Sequence, residues 1–167
     1  MNPGPDPLAA RVVARLRDLG DTLSTSESLT GGLVAAAITS VPGASEAFLG
    51  GVVAYATPLK ARLSGVPAPL LEEHGAISEQ AVAEMAAGIG SVTGTDWAVA
   101  TSGVAGPAEQ EGHPPGTVWV AVWGPGVATA ALHRFEGDRA SVRSQAVEAA
   151  LSLLLVNLPP GETSARP

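Results

Sequence analysis

The 167-residue chain has no cysteine, one lysine and one tyrosine. The missing cysteines exclude disulfides, thiolate nucleophiles and Cys-ligated zinc or iron-sulfur centres, so any catalysis must rest on oxygen or nitrogen groups. Their absence also suits a reducing compartment. No apolar run approaches the ~18 residues of a membrane span. The opening "MNPGPDPLAARVVARL" lacks the charged segment and apolar stretch of an export signal. The expectation is a cytoplasmic protein without membrane association. Positive charge is scarce too: Lys and Arg total 9 against 16 Asp and Glu, for a net charge of −7. With no basic run, a nucleic-acid or anionic-membrane surface is not supported, although a local basic pocket stays open.

What is present is globular. With 46% hydrophobic and 15% charged residues, the length suits one domain, expected over 7–157, with flexible termini at 1–6 and 158–167. "DPLAARVVARLRDLG" spaces Leu8, Val12, Leu16 and Leu19 as a helix, which Gly20 stops. "TLSTSES" reads as a short strand running into a small-residue helix that opens at Thr30 or Gly31. "FLGGVVAYA" is a strand, and Pro58 pre-sets a helix carrying Lys60. Two more helices follow, the second capped by Ser78, then the strand "DWAVATS" and a Gly/Pro-rich loop. "TVWVAVWG" and "VATAALHRF" form a hairpin across Pro125-Gly126, and a long helix capped by Asp138 closes the chain. Strand-helix alternation with a hairpin predicts an α/β fold: a three-layer α/β/α sandwich with a mixed, mostly parallel five-stranded sheet.

Candidate chemistry gathers at strand ends. "ESLTGG" (Glu27, Ser28, Leu29, Thr30, Gly31, Gly32) reads either as an anion cradle of hydroxyls and backbone N–H groups or as an ordinary helix cap with packing glycines. "TSGVAGP", with Ser102, Gly103 and Gly106, follows another strand end, and ligands of open α/β sheets collect where such loops meet. Ser45, Tyr55 and the lone Lys60 make a set for acyl transfer only if the fold brings them together and burial lowers the amine toward neutrality. Arg139 sits at a helix start, the wrong end for a dipole-stabilised cation, so an anionic ligand is its reasonable target; Arg143 competes for that role. The histidines share no metal-site spacing, and Glu109, Glu111 and His113 in the Gly/Pro loop are only a weak divalent-ion signal.

The motifs "TSESLTGGLVAAAITSVPGASEAFLGGVVAYATPLKARLSGV", "VATSGVAGP", "PPGTVWVAV" and "FEGDRASVRSQAVEAAL" resemble, in order and spacing, the C-terminal domain of the competence-damage-inducible protein CinA, a family that includes the nicotinamide-nucleotide amidases. The resemblance spans roughly residues 7–156. It implies a stand-alone, cytoplasmic, homodimeric amidohydrolase that turns nicotinamide mononucleotide (NMN) into nicotinate mononucleotide and ammonia without cofactor or metal. It further implies Ser45 as nucleophile, Tyr55 and Lys60 as its activators, Arg139 as an essential arginine, and the two Gly-rich loops as substrate walls. The chain departs from the family pattern at Leu29, at Ala56 and Thr57, and at His113. The alternative is a catalytically silent nucleotide-binding module of the same fold. A site requires Ser45, Tyr55, Lys60 and Arg139 to converge, and Lys60 to point away from solvent.

Overall fold

The computed structural model describes residue 4 and residues 6–161. Five strands, β1 (Leu23–Glu27), β2 (Phe48–Val53), β3 (Trp97–Gly103), β4 (Thr117–Gly124) and β5 (Val127–Arg134), form one sheet in the order β2-β1-β3-β4-β5. β1 pairs in parallel with β2 and β3, while β4 runs antiparallel to both β3 and β5. Four strands therefore share a direction and β4 alone opposes it, the mixed, mostly parallel arrangement expected.

The helices α1 (Pro7–Leu19), α2 (Leu33–Thr39) and α6 (Arg139–Asn157) cover one face; α3 (Thr57–Ser64), α4 (Ala68–His74) and α5 (Glu79–Thr93) cover the other. The chain steps one way along the sheet from β1 to β2 and back past β1 to β3. Right-handed crossovers consequently place their helices on opposite faces. The larger core joins Val12, Leu16, Ile38, Val99, Val120 and Leu151 under α1, α2 and α6. The smaller one joins Val82, Met85, Ala100 and Ala121 under α5.

Local signals explain the element ends. Asp6 caps α1 by accepting the Leu8 and Ala9 N–H groups, and Gly20 ends it in the left-handed conformation. Ser78 and Asp138 cap α5 and α6. The β4–β5 turn uses only Pro125 and Gly126 between the paired Gly124 and Val127. The chain end expected to be flexible falls mostly outside the described residues. Within them, Leu158 is buried and the Pro159 carbonyl accepts from Arg15 Nη1 at 2.7 Å, so 158–159 are tied to the core. No helix among the described residues is long and apolar enough to cross a membrane.

One difference from expectation is instructive. α2 opens at Leu33, not at Thr30 or Gly31, because Gly31 and Gly32 both adopt positive φ (59° and 99°). The cap comes from Glu27, whose carboxylate accepts the N–H groups of Gly32 (3.0 Å), Val34 (3.0 Å) and Ala35 (2.8 Å). Glu27 is 1% exposed, so no water replaces it readily. We expect Glu27→Ala to cost on the order of 2–4 kcal/mol by orphaning these buried donors, read as a fall in thermal midpoint with the helical fold otherwise retained.

Candidate active site

β1 is wholly buried although four of its five residues are polar. Its alternation explains how. Leu23, Thr25 and Glu27 face α1, α2 and α6, whereas the even-numbered serines continue as a row toward α3 and α5. Ser24 Oγ meets Thr95 Oγ1 at 2.8 Å, Ser26 Oγ meets Ser64 Oγ at 2.6 Å, and Ser28 Oγ accepts from Lys60 Nζ at 3.1 Å. The row ends at the carboxyl end of β1.

α3 brings Lys60 there. Pro58 lies in its first turn and Gly65 ends it left-handed. It packs so closely on α5 that a Cβ at Gly88 would overlap the Ser64 carbonyl. Lys60 is left 2% exposed, donating also to the Ala54 carbonyl at 2.8 Å and, at the limit of 3.5 Å, to the Tyr55 carbonyl. Burial lowers its pKa from 10.5 to about 8, against an opposing pull from the Glu111 carboxylate. Near neutral pH a useful fraction of this amine is unprotonated. In that form, with its two hydrogens directed to the carbonyls, its lone pair would face the Ser28 hydroxyl.

Above the pair opens a cleft of about 240 Å³, lined by Ser28, Leu29, Tyr55, Arg139 and the loop from Gly103 to Gln110. It lies over the carboxyl ends of β1 and β3, beside the point where the strand order reverses, as ligand sites of open α/β sheets do. Arg139 Nη2 donates to the Tyr55 hydroxyl at 2.9 Å and Nη1 to the Gly106 carbonyl at 2.7 Å, so one guanidinium joins three walls. A larger hollow of about 630 Å³ between α1, α2 and α6 contains none of Ser28, Tyr55 or Lys60.

The other expected residues divide sharply. Ser28, Tyr55, Gly103, Gly106 and Arg139 line the cleft, with Lys60 beneath it. Ser45 does not join them. It lies in a short 3-10 turn (Ala44–Glu46) before β2, in a surface hollow with Thr39, Val41 and Phe48. Tyr55 and Lys60 come after β2, whose six residues at about 3.3 Å each separate the two ends by roughly 20 Å. No hydrogen bond links Ser45 to a titratable side chain among the described residues.

Several expected substrate contacts are committed elsewhere. Glu27 caps α2, Thr30 Oγ1 is buried against Thr101 Oγ1 at 2.8 Å, and Ser102 Oγ donates to the Ala76 carbonyl at 2.6 Å. The Gly31 N–H goes to the Ser28 carbonyl and the Gly32 N–H to Glu27, so neither is a free anion donor. Arg143 pins the β1–α2 loop through the Leu29 and Thr30 carbonyls at 3.0 and 3.2 Å, which leaves Arg139 as the arginine of the cleft. Glu111 and His113 do not gather as metal ligands; no group of three or more His, Asp or Glu does so among the described residues. Sequence reasoning assigned Ser28 to a pocket wall and missed its pairing with Lys60. The signal was present in the period-two serines of β1, leading to the one serine at the strand's carboxyl end.

Fold and site define a three-layer α/β/α protein with a serine hydroxyl, bonded to a buried lysine, at the floor of a strand-end cleft. The chain belongs to the CinA C-terminal domain family, whose model matches residues 5–158. It is 50% identical over 135 residues to a CinA-like protein of Parasynechococcus marenigrum, covering 80% of this chain and 32% of that protein. To a CinA-like protein of Frankia casuarinae it is 44% identical over 160 residues, 94% of this chain and 37% of that one. The chain thus spans about a third of the length of these curated relatives. The crystal structure of competence damage-inducible protein A (ComA) from Klebsiella pneumoniae superposes with a TM-score of 0.89 at 38% identity, covering 93% of this chain and 97% of that one.

Proposed function

We propose that this protein is an amidohydrolase converting NMN and water to nicotinate mononucleotide and ammonia, with Ser28 as nucleophile and Lys60 as its base. The observation that carries the reading is the 3.1 Å contact between Ser28 Oγ and Lys60 Nζ beneath an open cleft. The family resemblance supplies the substrate. Neutral Lys60 takes the hydroxyl proton as Ser28 Oγ attacks the carboxamide carbon. The resulting ammonium returns that proton to the departing nitrogen, the C–N bond breaks, and ammonia leaves a nicotinoyl ester on Ser28. Water then attacks the ester carbon while Lys60 accepts its proton. The C–O bond to Ser28 breaks, Lys60 hands the proton back to Oγ, and the acid is released.

Arg139 supports the nucleotide part of this reading. Two of its N–H groups orient it against Tyr55 and Gly106, leaving others for a bidentate hold on phosphate. We expect Arg139→Ala to raise KM for NMN roughly 10–100-fold with a smaller change in kcat, and to leave turnover of the phosphate-free riboside nearly unaltered. The reading itself is tested by incubating the purified protein with NMN and measuring ammonia and nicotinate mononucleotide. Both should form in equal amounts. NMN remaining intact at micromolar protein over hours would refute the activity.

A further inference from the structure

We propose that Glu111 is a positioning residue for the Ser28–Lys60 site: its carboxylate clamps the cleft-wall loop to the turn before α5. The inference rests on the amidohydrolase reading for its kinetic meaning, but its geometry stands apart. Glu111 lies in the β3–β4 loop that forms the far wall of the cleft through Gly106, Ala108, Glu109 and Gln110. It adopts φ 51°, the one positive φ outside glycine among the described residues, a conformation that costs an ordinary side chain about 1 kcal/mol or more. What the backbone gains is a carboxylate aimed across the fold.

Glu111 Oε2 accepts the N–H of Ala76 at 2.9 Å and of Ile77 at 3.3 Å. The turn is shaped to receive it: Gly75 has φ 77°, and a Cβ there would come within 2.8 Å of the same oxygen. On its other side the turn holds β3, because the Ala76 carbonyl accepts from Ser102 Oγ. Glu111 thereby closes a circuit from the loop, through the turn, to the strand whose end floors the cleft.

The charges around Lys60 single out Glu111. On β1, Glu27 turns to the start of α2; the Tyr55 phenol and Arg139 bond to each other. Arg62 of α3, His74 at the end of α4 and Glu79 of α5 are exposed, and Glu84 of α5 lines a hollow near Trp123. Burial is the larger influence on the amine, and the Glu111 carboxylate opposes it by favouring the protonated form. The carboxylate thus offsets part of the effect of burial on when the base becomes available.

The two roles separate by substitution. Glu111→Gln keeps a carbonyl oxygen for the two N–H groups and removes the charge; Glu111→Ala removes both. Because Lys60 is the only lysine, [13Cε]lysine labelling of the full chain reports its titration as a single resonance. The Lys60 midpoint should fall by about half a pH unit in both variants, less at high salt because Glu111 is exposed. Amide exchange at Ala76 and Ile77 should quicken at least about tenfold in Glu111→Ala but not in Glu111→Gln. In turnover, the acid limb of kcat/KM should move down in both variants, with KM for NMN raised only in Glu111→Ala. An unchanged Lys60 midpoint overturns the electrostatic role, and equal exchange in the two variants overturns the clamp. Neither readout needs turnover, so a protein inert toward NMN refutes the amidohydrolase reading and leaves this one to be judged on titration and exchange.

Discussion

Replacing Ser28 by alanine is expected to lower ammonia release from NMN by at least about 10³-fold, and replacing Ser45 to change it less than about twofold. The contrast follows from where the hydroxyls sit. Ser28 is 8% exposed at the cleft floor with an amine at hydrogen-bond distance, while Ser45 lies beyond the opposite end of β2. A factor of 10³ is about 4 kcal/mol of transition-state stabilisation, reasonable for loss of covalent catalysis. Binding should survive, since a methyl group in place of the hydroxymethyl adds no bulk to the cleft. Calorimetry should therefore give Ser28→Ala an NMN affinity within a few-fold of wild type. If Ser45→Ala abolishes turnover while Ser28→Ala retains it, the nucleophile assigned to Lys60 is wrong.

How far the sequence carried this picture depends on the kind of signal. Strand and helix identities were legible because apolar spacing, Gly20, Ser78, Asp138 and the Pro125-Gly126 turn each act within a few residues. The lone Lys60 and Tyr55 were legible as unusual, and the strand-end loops as the walls of one cleft. The partner of the lysine was not. Ser45 is nearer to Tyr55 and Lys60 along the chain than Ser28 is, but β2 carries the chain away from it, while the parallel pairing of β1 with β2 brings Ser28 alongside the end of β2. Proximity along the chain and proximity in the fold point in opposite directions here.

The glycine-rich "ESLTGG" loop shows the same limit from the other side. Its composition suited an anion cradle, and its N–H groups were counted as donors. The motif's own first residue, Glu27, supplies the negative charge that such a helix start attracts, and it fills the position with a protein carboxylate. The cation that lines the cleft is instead Arg139, at the start of α6 and remote in sequence from the Gly106 carbonyl it binds. Such reciprocal satisfaction depends on which partners the sheet order brings together, and local pattern does not encode it.

Replacing Lys60 by methionine should abolish turnover, by at least about 10³-fold, and should remove a pH dependence from the stability of the fold. The native amine titrates at about 8 and the unfolded one near 10.5. Between those values the unfolded chain holds a proton that the native protein has released, so wild-type stability gains with rising pH through that window. Below about 8 both states are protonated and the native state carries the full cost of a buried cation, on the order of 3 kcal/mol. Methionine has no proton to exchange. The difference in thermal midpoint, wild type minus Lys60→Met, should therefore be flat below about pH 7 and rise by several degrees toward pH 10, at about 2–4 °C per kcal/mol. All other titrating groups are shared and cancel in the difference. On the proposed mechanism, kcat/KM of the wild type should climb with pH up to about 8 and then level, because only the neutral amine accepts the Ser28 proton. A midpoint difference independent of pH, or a rate that falls as pH rises from 6 to 8, would show that Lys60 is not the titrating base. On the proposed mechanism, the burial that lowers stability at neutral pH is also what makes the lone pair of Lys60 available to Ser28.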